Sequence, residues 1–288
     1  MYINMDFKQI FKGIKHGDEY VFQKVFDAIK PIIINKIINT LQERTICHTG
    51  RPITTDFNKF LDALFFVSES GSQFKYVQKI SGITKGTFYR YLKFISDHHI
   101  IQDVYHDAIK NCSCGDLLIT DTFTVKSMSG KEGLGRNPTD RGRNGFKVSL
   151  IADTNRVVRA VQIAGANKHD SKILVDTIDQ MKQPDHMVKC LCDAGYIGKK
   201  LRDTCRSKNF RLIVKPKRTN SKGKMSHILL KHDAELLRVK RNQIELLNGQ
   251  IRRFRSLMIK WVRHMSIYSS FLYVALLSIT CYQLYVNI

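Results

Sequence analysis

Residues 187–200, MVKCLCDAGYIGKK, decide how this 288-residue chain reads. A mostly apolar run, Val188 to Cys192, stops at a carboxylate, Asp193, which Ala194 and Gly195 follow at once. That is the pattern of a buried strand ending in an acid. A helix is expected to begin near Gly198. Asp193 should therefore project from the carboxyl edge of a sheet, where open α/β sheets keep their ligand sites.

Two other segments offer Asp193 partners. LLITDTFTV (residues 117–125) puts Asp121 inside a second apolar strand, and RNQIELLNGQIRR (residues 241–253) puts Glu245 on a helix. Two strand carboxylates and one helix carboxylate meeting at one spot repel each other unless divalent metal neutralises them. A metal site built from Asp121, Asp193 and Glu245 is the working expectation.

Composition narrows the partners. The hydrophobic content of 43% suffices for a packed core, which excludes a disordered protein. The net charge is +22, and residues 196–265 concentrate the excess, with twenty Lys plus Arg against four Asp plus Glu. Nucleic acid is the polyanion that such a surface suits. The seven cysteines include two Cys-x-Cys pairs, Cys112/Cys114 and Cys190/Cys192, which match neither a zinc knuckle nor a disulfide framework. They read as free thiols in a reducing compartment. The N-terminus lacks the apolar core of a signal peptide, which points away from secretion. Residues 267–286 are uncharged and long enough to cross a bilayer. Several Ser, a Thr and a Gln within them favour a helix buried in the protein core, with no stable membrane association.

The chain in order suggests three regions. Residues 1–50 carry apolar residues at helical spacing, broken at Pro31, and are expected to form two or three helices. Residues 51–115 hold an amphipathic helix, DFNKFLDALFFVSESG, ending at Gly71. A helix-turn-helix pattern and a connector follow. In that pattern Gly82 supplies the positive φ of the turn, Thr84 caps the second helix, and Val77, Ile80, Ile83, Phe88 and Leu92 hold the helices together. Lys85, Thr87, Tyr89, Arg90 and Lys93 would then face a major groove or phosphates.

Residues 116–288 form the third region. It reads as a strand, a long Gly-rich loop (126–145), a hairpin turning at Asp153-Thr154-Asn155, and then helix, strand, helix, strand, helix. Three antiparallel strands followed by that alternation is the element order of the ribonuclease H-like fold. The expected fold class is thus α/β, a ribonuclease H-like mixed sheet flanked by helices, preceded by an all-α region with a helix-turn-helix.

Four stretches carry a family resemblance: NPTDRGRNGFKVSLIAD (137–153), AGANKHDS (164–171), LCDAGY (191–196) and RNQIE (241–245). Together, in this order, they resemble the catalytic domain of bacterial insertion-sequence transposases of the aspartate-aspartate-glutamate class, and most of all the group named after insertion sequence five. The resemblance runs from about Arg51 to the C-terminus. It implies Asp121, Asp193 and Glu245 as the metal-binding, catalytic triad. It also implies a signature around the glutamate: a tyrosine, an arginine three positions later, the glutamate four later again, and a lysine seven beyond. Arg241 and Glu245 match, while the tyrosine position holds Arg238 and the lysine position Arg252.

On an uninterrupted helix Arg238, Arg241, Glu245 and Arg252 share one stripe beside an apolar face of Leu237, Ile244, Leu247, Ile251, Phe254 and Met258. The expected chemistry uses two Mg2+ or Mn2+ ions, with Asp121 shared between them. These ions activate water or a 3′-hydroxyl at a phosphodiester and stabilise the leaving oxygen. The reading is a DNA transposase that cuts element ends and joins them to target DNA, acting as a homodimer on two ends. It would reside in the bacterial cytoplasm at the nucleoid, or in the nucleus for a eukaryotic or viral host. The alternatives are a transposase-derived DNA-binding protein whose catalysis has decayed, and a membrane-anchored basic protein.

Candidate DNA-backbone contacts are Arg136, Arg141, Arg143 and Lys147, with Lys215, Lys217, Arg218, Lys222 and Lys224. Arg238, Arg241 and Arg252 join them from the glutamate helix. Asp140, Asp153 and Asp170 read as loop, turn and helix-start residues rather than ligands, and His169 as a phosphate contact or a bond to that helix start. Trp261 and Phe254 read as core.

Overall fold

A computed structural model describes residues 7–15, 17–18, 20–44, 55–217 and 228–286. Two compact units emerge, residues 1–112 with 250–288, and residues 113–249.

The first unit is helical: α1 (Phe7–Ile10), α2 (Val21–Arg44), α3 (Phe57–Ser70), α4 (Val77–Ser81), α5 (Lys85–Asp97) and α6 (Ile100–Ile109) surround the last helix of the chain, Met265–Tyr285. Its helix ends follow the sequence signals. Asp56 caps α3 by accepting the N–H groups of Asn58 and Lys59, and Gly71 closes it in the left-handed region. Gly82, at φ 74°, makes the α4–α5 turn, and Thr84 caps α5 through the N–H of Thr87. Val77, Phe88 and Leu92 are buried as expected. Ile80 faces solvent instead.

Helix α2 departs from expectation by running unbroken through Pro31. A mid-helix proline costs roughly 3 kcal/mol. Phe22, Val25, Phe26, Ile29, Ile33 and Ile37 form one buried face on both sides of it, and their packing outweighs that cost. Trp261 is 64% exposed, against the expectation of a core residue, whereas Phe254 is fully buried between Phe22 and Phe65.

The final helix of the chain is long and apolar enough to cross a membrane, and the unit buries it. Its polar groups find partners inside. Ser270 Oγ lies 2.8 Å from Ser96 Oγ, Ser278 donates to the Val274 carbonyl, and Tyr285 donates to the Ala108 carbonyl.

The second unit is a mixed sheet with helices. Its strands are β1 (Leu117–Ser127), β2 (Gly135–Arg136), β3 (Asn144–Asp153), β4 (Val158–Gly165), β5 (Val188–Cys192) and β6 (Phe210–Val214). β1 and β3 pair antiparallel, and both β4 and β2 pair antiparallel with β3. On the other side of β1, β5 and then β6 run parallel. Between the strands lie α7 (Asp170–Ile178) and α8 (Lys199–Arg206), and after them α9 (Lys231–Lys240) and α10 (Asn242–Ile251). With the helix Met265–Tyr285 now α11, the element order and strand directions are those of the ribonuclease H-like fold.

One sheet face is sealed by Leu118, Cys190, Cys192 and Leu212 from the strands, against Leu174 and Ile178 of α7 and Leu201 and Cys205 of α8. Asp153 stabilises the hairpin as a turn residue. It is buried, it accepts the N–H groups of Asn155 and Val157, and it pairs with Arg159 at 2.7 Å.

Candidate metal centre and nucleic-acid contacts

Strand pairing brings two of the acids together. β1 and β5 are parallel, with Leu117 opposite Lys189, Leu118 opposite Cys190 and Ile119 opposite Leu191. The ladder ends there; Asp121 and Asp193 each follow two residues beyond its last pair, and the charge of Asp193 reaches Asp121. Because side chains alternate along strands, both follow the direction of Ile119 and Leu191. Asp193 stands just past the end of β5 in extended backbone, and its side chain is exposed. Asp121 is half-buried. Burial raises its carboxyl above the usual range, opposed by the Thr122 backbone, Arg241 and Asn248, while the nearby charge of Asp193 pushes it up further.

The turn after Asp193 is pinned on the opposite face. Residues Ala194–Tyr196 form a 3-10 turn, and the buried Tyr196 hydroxyl lies 2.7 Å from Thr122 Oγ1. Burial pushes that phenol well above its ordinary range. This tie links the residue after Asp121 to the turn after Asp193. The LCDAGY stretch stood out in the sequence, but nothing in it named Thr122 as the tyrosine's partner.

Helix α10 carries the third acid, Glu245. The single helix expected across residues 238–252 is divided at Arg241, where the Ile244 N–H bonds back three residues to the Arg241 carbonyl in a tighter turn. The common stripe of Arg238 and Arg252 is thereby lost. Arg238 bonds through Nε and Nη2 to Glu235 on α9, and Arg252 lies exposed beyond the end of α10.

What remains in line is Arg241, Glu245 and Asn248, spaced at i, i+4 and i+7. Arg241 Nη2 lies 3.4 Å from Asp193 Oδ1, and Asn248 Nδ2 donates to Asp121 Oδ2 at 2.7 Å. Glu245 sits between these two anchors in sequence and is exposed in the first turn of α10. Ile244 and Leu247, both buried, hold the other side of the helix.

Among the described residues no group of three or more His, Cys, Asp or Glu side chains stands ready to hold an ion. The donors near Asp121 nonetheless suit a hard divalent cation. Asp121 lies in β1, Asp193 follows β5, and Glu245 is carried on α10, whose Asn248 bonds to Asp121 and whose preceding residue, Arg241, pairs with Asp193. The buried Asn248 Oδ1 has no hydrogen-bond partner. Arg241 supplies the countercharge to Asp193.

The candidate DNA contacts are spread over both units. On α5, Lys85 is exposed, Thr87 bonds to Thr84, the Arg90 guanidinium sits 5.3 Å from the Tyr91 ring centre, and Lys93 pairs with Asp97. In the Gly-rich loop Arg136 and Arg141 are exposed, and Arg143 pairs with Asp140 at 3.8 Å. Lys147 is tied to Asp170 at 2.8 Å, and His169 caps α7 by accepting the Ser171 N–H. Lys215 and Lys217 are exposed after β6. Arg218, Lys222 and Lys224 lie outside the described residues.

No curated protein matches the chain. Among solved structures it is similar to a piggyBac transposase synaptic complex with hairpin DNA, at 11% identity and a TM-score of 0.56. That match covers 93% of this chain and 75% of the other. A Mos1 transposase paired-end complex (10% identity, TM-score 0.24, 71% of this chain and 70% of the other) and a pre-cleavage Mos1 transpososome (8%, 0.27, 81% and 80%) are too distant in geometry to support any residue correspondence. Residues 113–278, more than half of the chain, match the family described as Transposase DDE domain, and the chain belongs to that family.

Proposed function

We propose that this chain is an active DNA transposase in which Asp121, Asp193 and Glu245 hold Mg2+ or Mn2+, as two ions. It would cleave phosphodiesters at the ends of its element and join the freed 3′ ends to target DNA. One observation carries the reading. The helix bearing Glu245 is bonded on one side of that residue to Asp193, through Arg241, and on the other to Asp121, through Asn248. A salt bridge made only for stability would not need both of these acids beside it.

Bound divalent metal would supply a polarised phosphodiester and an activated hydroxyl. The chain's own groups do the rest. Asp193, exposed at the strand end, leaves the site open to a DNA strand. Arg241, now paired with Asp193, is placed to turn its positive charge toward a phosphate once the carboxylates are otherwise neutralised. Lys85, Thr87, Arg90 and Lys93 on α5, a helix-turn-helix reader, would grip DNA. So would Arg136, Arg141, Arg143, Lys215, Lys217, Arg218, Arg238 and Arg252, with affinity falling steeply in salt. Membership in the insertion-sequence-five group, action as a homodimer on two DNA ends, and residence with the host's DNA belong to the same proposal. The synaptic nature of the similar piggyBac complex agrees with the dimer.

A second reading, a DNA-binding protein that has lost catalysis, draws on Arg238, which bonds to Glu235 and stands where the family signature has tyrosine. Cleavage of DNA carrying the repeats that flank the gene separates the two. The proposal expects Mg2+-dependent cuts by the wild type and none by Asp193→Ala. Equal silence from both proteins on that DNA removes the enzyme reading.

A further inference from the structure

The orphaned oxygen of Asn248 extends the site. This residue is 8% exposed, and its Nδ2 donates to Asp121 Oδ2 at 2.7 Å. An ionised carboxylate only accepts, so that bond fixes which way the amide faces. Its Oδ1, bound to the same carbon as the donating nitrogen, therefore lies close to Asp121. It is buried and has no hydrogen-bond partner. Folded proteins rarely leave a buried acceptor unpaired, and those that do tend to keep it for a ligand or a functional role. Asn248 also lies one turn past Glu245, on the stripe of α10 that begins at Arg241 and reaches Asp193.

We infer that Asn248 is a positioning residue of the metal centre, whose amide N–H orients Asp121 and whose Oδ1 accepts a hydrogen bond from water carried on the ion. The inference rests on the metal-site reading above. Hard divalent cations keep several waters when bound, and each such water is a donor with no acceptor in the protein until one is provided. Asn248 provides one from a buried position, where the bond is shielded from competing solvent. It also leaves the second oxygen of Asp121 unengaged by the amide. No signature around the glutamate pointed to position 248, and the residue became conspicuous only through its half-satisfied side chain.

The test is a Mn2+ titration of the full chain, following free Mn2+ by electron paramagnetic resonance and, separately, the rise in melting temperature on adding Mn2+. Wild type, Asp121→Ala, Asn248→Ala and Asn248→Asp are compared. Asn248→Ala is expected to weaken Mn2+ binding by about tenfold to a hundredfold, the usual effect of losing a group that orients a ligand. Asn248→Asp keeps the size of the side chain and an oxygen at its tip. It loses the N–H that orients Asp121 but keeps the acceptor, so it is expected to retain Mn2+ binding at least about tenfold tighter than Asp121→Ala, and it decides the matter should the alanine variant fail to fold.

If Asn248→Ala binds Mn2+ within twofold of wild type while melting at a lower temperature, the residue is merely structural and the inference falls. Binding by Asn248→Asp no better than by Asp121→Ala overturns it as well. If wild type binds no better than Asp121→Ala, the metal-site reading itself fails and takes this inference with it.

Discussion

The two strand acids and the helix acid are held in place by different means. Asp121 lies within β1, and Asp193 follows directly on β5, which β1 pairs in parallel through Leu117–Ile119, so both acids ride on backbone held by the sheet. Glu245 is set by α10, which is tied to the acids by Asn248 and by Arg241 just before its first residue. A ladder fixes side chains through many backbone bonds, whereas a helix leaning on a sheet is fixed by its buried face and a few side-chain ties. The strand half of the site should therefore be rigid without metal, and the helix half adjustable. Glu245 is exposed on that helix.

The predictions probe this contrast, beginning with the largest effect. Removing either strand acid, as Asp121→Ala or Asp193→Ala, should lower cleavage by on the order of 10^2 to 10^3-fold or more while the melting curve keeps its shape. A variant that retains activity would break the assignment of the strand half. Next, Leu247→Ala empties the buried side of α10. It should cost about 2 to 5 kcal/mol in denaturant unfolding and depress cleavage although no acid is touched. Full activity in a destabilised Leu247→Ala would mean that the seating of α10 does not matter for Glu245.

Smaller effects separate the ties. Thr122→Val deletes the partner of the buried Tyr196 hydroxyl and should cost roughly 1 to 3 kcal/mol, measured by urea unfolding. Arg241→Gln breaks a pair that is about half exposed, so it should cost the metal-free protein no more than about 1 kcal/mol in the same measurement.

The smallest effect is a pH slope. Burial raises the Asp121 carboxyl in the folded protein, so the folded chain binds more protons than the unfolded one between the ordinary carboxylate value and the raised one. Metal-free stability should accordingly fall as pH rises through that window, and Asp121→Asn should flatten that part of the curve.

How much could be read from the sequence follows the same division. Val188–Cys192 ending in Asp193 announces itself through an apolar run closed by an acid and a glycine, and β5 has those limits. The Gly71, Gly82 and Thr84 signals work because capping and positive φ are decided within a few residues.

The failures are all cases in which distant packing overrules local rules. Pro31 is absorbed because the buried face of α2 continues past it. The helix bearing Glu245 is interrupted at Arg241, although every residue around the interruption is compatible with helix. Trp261 is exposed although it reads as core, whereas the uncharged run of residues 267–286 becomes α11, buried in the helical unit as its Ser, Thr and Gln suggest. Asn248 and Tyr196 went unassigned because their roles depend on partners more than seventy residues away.

The central claim is that three acids remote in sequence serve one metal centre, and iron-directed backbone cleavage addresses it most directly. Fe2+ substituted for Mg2+, with ascorbate and peroxide, cuts the chain wherever it lies beside the bound ion. The account predicts fragments ending near residues 121, 193 and 245 together, all suppressed by excess Mg2+. Cuts confined to the two strands, with the segment around Glu245 spared, would contradict it.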